Sequence, residues 1–123
     1  MSETFENLQT FDESALAQLH ELQVEGEPSF VGGLIADYLD QVKELNAKIQ
    51  SFEKSGDKNG LERAAHKLKS SSAVLGLAKL AAICCAIEEG ARAGRPTSLS
   101  VRAIENAVPE AIATLQAYLT HLP

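Results

Sequence analysis

Apolar positions recur along this chain at intervals of three and four and never alternate for long, so the pattern predicts helices and no strands. Leu16, Leu19 and Leu22 mark a short first helix starting near Asp12, with Asp12 or Ser14 as its cap. The stretch EGEP interrupts it, and Pro28 suits the first turn of the next helix, where a missing donor does no harm. That second helix, about residues 28–54, carries a long stripe of Phe30, Val31, Leu34, Ile35, Tyr38, Leu39, Val42, Leu45, Ile49 and Phe52. Gly32 and Gly33 weaken its first turns.

SGDKNG ends the second helix, and a third runs from about Asp57 to Gly76, a glycine placed as a C-terminal stop. The fourth spans about residues 77–93, with Leu80, Ala81, Cys84 and Ile87 on one face. After AGRPTS a last helix starts near Ser98, with a stripe of Ile104, Val108, Ala111, Ile112, Leu115, Tyr118 and Leu119. Pro109 lies inside that stripe and predicts a kink or a split. Four longer helices joined by short breaks make antiparallel neighbours. The expected fold is all-α: an antiparallel up-down four-helix bundle over about 28–121, with a short additional N-terminal helix, in one domain of 123 residues.

Composition agrees with this. There is no tryptophan and only 5% aromatic residues, so the core is built from Leu, Ile, Val and Ala. The net charge of -6 argues against nucleic-acid binding, which needs cations to neutralise phosphates. The charge is uneven, however: Lys58 to Lys69 holds four Lys or Arg and one acid, a basic island in an acidic chain. The plain reading of such an island is a solvated helix face. No signal peptide and no bilayer-length apolar run are present. Cys84 and Cys85 are adjacent and cannot comfortably pair on a helix, so they read as packing residues of a reduced, cytoplasmic chain without a membrane partner. The initiating Met and short polar leader favour a free-standing protein.

Within the island lies LERAAHKLKSSSAVLG, residues 61–76. At about 100° per residue, Leu61, Ala64, Leu68, Ser71 and Leu75 fall opposite His66, with Ala65 and Ser72 on the flanks. His66 therefore points away from the core. Three and four residues away on its own face are Glu62, Arg63, Lys69 and Ser70, and Ala73 is a further turn on. Ser70 and Ala73 are small and leave the ring open to a partner, while Lys69 offers positive charge above it. Such a ring suits a phosphoryl carrier. Neutral imidazole has a nucleophilic lone pair on one nitrogen, a hydrogen bond at the other fixes the tautomer, and the P–N bond is labile. Catalysis then needs mainly positioning and charge stabilisation.

AHKLKSSSAVLG resembles the signature of histidine-containing phosphotransfer (HPt) domains: His, any residue, an apolar residue, Lys, Gly, small residues, and a glycine ten positions after the His. His66, Leu68, Lys69, Ser71 and Gly76 match, and Ser70 stands where the family often has glycine. LAKLAAICCAIEEGARAG resembles the family's next helix and FVGGLIADYLDQVKELNAKIQ its preceding one, so the likeness covers residues 28–94 well. The resemblance implies a phosphorelay intermediate of a two-component pathway, with His66 accepting a phosphoryl group from one receiver aspartate and giving it to another. It implies receiver domains of response regulators or hybrid histidine kinases as partners, and Glu88 as the residue that orients the imidazole. Lys69 is expected to stabilise the phosphoryl charge, and Arg63, Lys67, Ser70 and Ala73 to meet the partner, together with exposed residues of the second helix. The divalent metal belongs to the receiver, and the chain needs no cofactor of its own.

There is no glycine-rich nucleotide loop, so no ATP site is expected. His20, His66 and His121 are far apart and fit no metal spacing; His20 and His121 read as incidental. The competing reading is a helical interaction module that is never phosphorylated and docks a partner through the basic face, its serines serving close helix packing.

Overall fold

The structure, a computed structural model, describes residues 5 and 8–121, and five helices lie among them. They are α1 (Glu13–His20), α2 (Phe30–Ser55), α3 (Lys58–Val74), α4 (Ala78–Ala93) and α5 (Ser98–Thr120). Helices α2, α3, α4 and α5 each pack on the next, and α5 closes back onto α2, which makes the antiparallel up-down four-helix bundle. α1 packs on α2 and is also tied to α5, where His20 Nε2 and the Tyr118 hydroxyl lie 2.8 Å apart. His20 thus has a structural partner that its isolation in the sequence did not suggest.

Capping sets the boundaries. Asp12 accepts from the Ser14 amide and from the Ser14 hydroxyl, so Asp12 is the cap of α1 and Ser14 braces it. α1 stops at His20, and Leu22, expected on its apolar stripe, lies beyond it and is exposed. The connection is organised by one side chain. The Gln23 amide donates to the carbonyls of Glu27 and Pro28, and its oxygen accepts from the Phe30 N–H at 2.7 Å. Pro28 stays outside α2, against expectation. Ser29, the better cap, accepts from the Gly32 amide at 3.0 Å, and the helix begins one residue after it.

α2 ends on Gly56, and Asp57 immediately caps α3 by accepting from Gly60 at 2.9 Å. So short a link forces α2 and α3 side by side. α3 ends in a Schellman turn, with Leu77 N–H donating to Ser72 and Gly76 N–H to Ala73. Gly76 takes φ 78° there, and its carbonyl accepts from the Asp12 amide at 2.7 Å. A Cβ on Gly76 would stand 2.2 Å from the Asp12 carbonyl oxygen, so glycine is required both for the turn and for this approach.

α5 is a single helix through Pro109, so of the two expected outcomes, a kink or a split, the split does not occur. Pro109 is exposed, and so is Glu105, whose carbonyl loses the proline's missing N–H.

Leu16, Ile35, Val42, Ile49, Leu68, Ile83, Ile87, Ile104 and Leu115 are among the residues of one continuous core. Each fully buried side chain of this kind contributes roughly 1.5–3 kcal/mol of transfer free energy. On α3 the buried face includes Ala65 and Ser72, while Ser71 is only half-buried. The helix is therefore rolled relative to the stripe read from its leucines, and the roll brings the His66 side of α3 toward α4. Ser72 and Glu88 are buried and polar. The Ser72 and Tyr38 hydroxyls satisfy each other at 2.8 Å across α2 and α3. Among the described residues no helix is long and apolar enough to cross a membrane.

Candidate functional site

Glu88 is the centre of the site. It lies on the buried face of α4, with its side chain 5% exposed, and points at the middle of α3. An isolated carboxylate there would be costly, and three cationic or N–H groups converge on it. His66 Nδ1 is 2.7 Å from Oε2, Lys69 Nζ donates to Oε1 at 2.5 Å, and Arg92 donates to Oε2 at 3.0 Å. Arg92 also donates through Nε to Glu62 at 2.7 Å, which anchors its guanidinium to α3.

Helical spacing explains the convergence. Glu88 and Arg92 are one turn apart on α4, and His66 and Lys69 one turn apart on α3, so each pair projects from one face into the shared gap. Burial pushes the Glu88 carboxyl up, but hydrogen bonds from Lys69 and His66, with the Lys69 charge, more than offset this. The net shift is below the usual value, so Glu88 is ionised at neutral pH. The same bond to Glu88 holds the Lys69 ammonium above its ordinary value.

An ionised carboxylate only accepts. In the neutral His66 ring the hydrogen must therefore sit on Nδ1, facing Glu88, and the lone pair on Nε2. The His66 side chain is 59% exposed, and among the described residues no protein group is hydrogen-bonded to Nε2. The arrangement is a nucleophilic nitrogen held toward solvent by a buried anion behind the ring.

The residues singled out in the sequence separate into two groups. His66, Lys69 and Glu88 are in one hydrogen-bonded cluster. Glu88 is a buried ligand of the ring, not the solvated charge that a plain reading of a surface glutamate gives. Arg63 and Lys67 are exposed on the other flank, along the α2–α3 groove that Leu45, Lys48 and Phe52 line. Ser70 and Ala73 are exposed, with no bulk above the ring. Lys69 Nζ is held by Glu88 Oε1, the carboxylate whose other oxygen faces His66 Nδ1.

Arg92 and Glu62 belong to the cluster; the sequence placed Glu62 on the His66 face without a role, and it did not point to Arg92. The signal available was the four-residue spacing from Glu88 to Arg92, which reads as an ordinary surface ion pair until Glu88 is known to be buried. Cys84 is buried in the core, where burial pushes its thiol up to about 12, and no cluster of metal-ligating residues occurs among the described residues.

Residues 33–121 match the sequence profile of the Hpt domain. Multistep phosphorelay regulator 1 of Schizosaccharomyces pombe is 33% identical over 82 residues, which are 67% of this chain and 28% of that protein. The chain thus spans about a quarter of the length of this relative. The crystal structure of histidine-containing phosphotransfer protein B (HptB) from Pseudomonas aeruginosa PAO1 superposes with a TM-score of 0.82, covering 95% of this chain and 100% of that one. At 20% identity this likeness speaks for the fold. The profile covers well over half of the chain, and its bundle presents one exposed histidine backed by a buried carboxylate; the chain belongs to the Hpt domain family.

Proposed function

We propose that this chain is a histidine phosphotransfer intermediate in two-component signalling and that it carries the phosphoryl group on His66 Nε2. The observation that carries this reading is the Nδ1 contact with ionised Glu88, which leaves the Nε2 lone pair outward. The Nε2 lone pair attacks the phosphorus of a receiver's aspartyl phosphate. The N–P bond forms as the P–O bond to the aspartate breaks, and that electron pair leaves on the carboxylate. The Nδ1 proton stays on the ring, which becomes a phosphoimidazolium whose positive charge faces Glu88. A protonated ring is a good leaving group, so the same contact favours onward transfer to a second aspartate.

The partners are receiver domains of response regulators or hybrid histidine kinases. Their acidic pockets, with a divalent metal, meet a surface that Ser70 and Ala73 keep low. Arg63 and Lys67, with Lys48 of α2 beside them, supply the rest of the contact face. The phosphoryl group comes from the partner. Free Cys84 and Cys85 fit a reducing cytoplasm.

Incubation with a phosphorylated receiver tests this. Acid-labile, alkali-stable phosphate on the chain, lost in His66→Gln, is the expected result. Binding of the receiver with no phosphate transferred would favour an interaction module instead.

A further inference from the structure

Glu88 makes more ionic bonds than orienting an imidazole requires. Three partners compensate it: His66, Lys69 and Arg92. Lys69 Nζ is bound to Glu88 Oε1, whereas an incoming phosphoryl group sits on Nε2, the ring nitrogen that does not face Glu88. The phosphoryl charge and Glu88 therefore compete for one ammonium. Any move of Lys69 toward the phosphoryl group weakens its hold on a carboxylate that is almost fully buried.

Leaving a buried carboxylate without a cation is strongly unfavourable. Arg92 is the group that remains. Its guanidinium donates to Glu88 at 3.0 Å, and the bond to Glu62 at 2.7 Å keeps it in place although the side chain is 62% exposed. Arg92 reaches the cluster from α4, so motion of Lys69 on α3 does not carry it away.

We propose that Arg92 is a positioning residue for phosphotransfer: it compensates Glu88 when Lys69 moves from Glu88 to the phosphoryl group on His66. This rests on the phosphotransfer reading above. Arg92 makes its hydrogen bonds to Glu88 and Glu62 and none to the ring. Its effect runs through the charge of Glu88, and that dependence can be isolated.

The test is a double-mutant cycle on the full chain, with phosphoramidate as a small donor that gives its phosphoryl group to His66 and leaves as ammonia. Arg92→Gln should slow labelling of His66 by about tenfold, about 1.4 kcal/mol in the barrier. In a Glu88→Gln background there is no buried charge to compensate, so the same Arg92→Gln change should alter the rate by less than about twofold. Circular dichroism melts check that all four proteins are folded. A merely structural role for Arg92, through Glu62 and the α3–α4 contact, would slow labelling equally in both backgrounds and overturn the inference. No slowing in the Glu88 background would also overturn it. Wild-type protein that takes no phosphate, from phosphoramidate or from a receiver, would instead overturn the phosphotransfer reading itself, and this inference with it.

Discussion

His66 Nδ1 and Glu88 Oε2 lie 2.7 Å apart across the gap between α3 and α4, one group largely exposed and the other buried. On the proposed reading the pair divides the work of a phosphoryl carrier. The buried carboxylate would fix the tautomer and balance the ring's charge, and the nucleophilic nitrogen would face the partner.

The ionised state of Glu88 has a consequence for acid stability. Its folded carboxyl value lies below the ordinary 4.5, because Lys69 and His66 outweigh the burial that pushes it up. A depressed carboxyl contributes stability that is present above the unfolded value and is lost as pH falls through the folded one. Wild type should therefore lose stability more steeply than Glu88→Gln below about pH 4.5 in denaturant titrations. Parallel stability curves for the two proteins from pH 7 to pH 3 would contradict this.

Tyr38 and Ser72 should matter to the fold and not to transfer. Tyr38→Phe leaves the buried Ser72 hydroxyl without its partner and should cost about 1–3 kcal/mol in chemical denaturation. Tyr38→Phe with Ser72→Ala should recover part of that loss, since both polar groups are then gone. Transfer rates should stay within about twofold of wild type, as neither residue touches the Glu88 cluster. A double variant no more stable than the single one would show that the bond is not what Tyr38 contributes.

Two glycines with nearly equal backbone angles should respond differently to alanine. Gly56, φ 77°, has open space where a Cβ would go, so Gly56→Ala should cost only the left-handed strain, about 1 kcal/mol. Gly76, φ 78°, adds a clash with the Asp12 carbonyl, so Gly76→Ala should cost more and should loosen residues near Asp12 in amide exchange. Equal losses would mean that the N-terminal segment does not rest on the α3–α4 turn.

Much of the fold was legible because local chemistry decided it. The Asp12 and Asp57 caps, the Gly56 and Gly76 stops and the leucine stripes each act within one turn. What was misread depends on competition or on neighbours in space. Ser29 outcompetes Pro28 for the start of α2, and α5 continues without a split through an exposed Pro109. At the site, the outward direction of His66 followed from the α3 stripe alone. The resemblance supplied Glu88 as a neighbour of the ring. Its burial, and with it the role of Arg92, follows from the roll of α3 toward α4, which small residues such as Ala65 and Ser72 permit and no spacing rule reveals.

The surface around His66 should tolerate no bulk. Ala73→Arg or Ser70→Gln places a long side chain on the exposed face and leaves the core untouched, so thermal stability should change by no more than about 0.5 kcal/mol. Transfer from a receiver should fall far more, and association should weaken as salt rises, because Arg63 and Lys67 are exposed and screened. Normal transfer by Ala73→Arg would place the docking surface elsewhere.

The central claim is that phosphate resides on Nε2 of His66, and NMR of protein carrying 15N-labelled histidine tests it most directly. After transfer from a phosphorylated receiver, phosphorus coupling should appear at Nε2 of His66 alone, with Nδ1 still protonated against Glu88, and His66→Gln should remain unlabelled with its helical content intact. Coupling at Nδ1, phosphate on His20 or His121, or phosphate retained in His66→Gln would contradict the account.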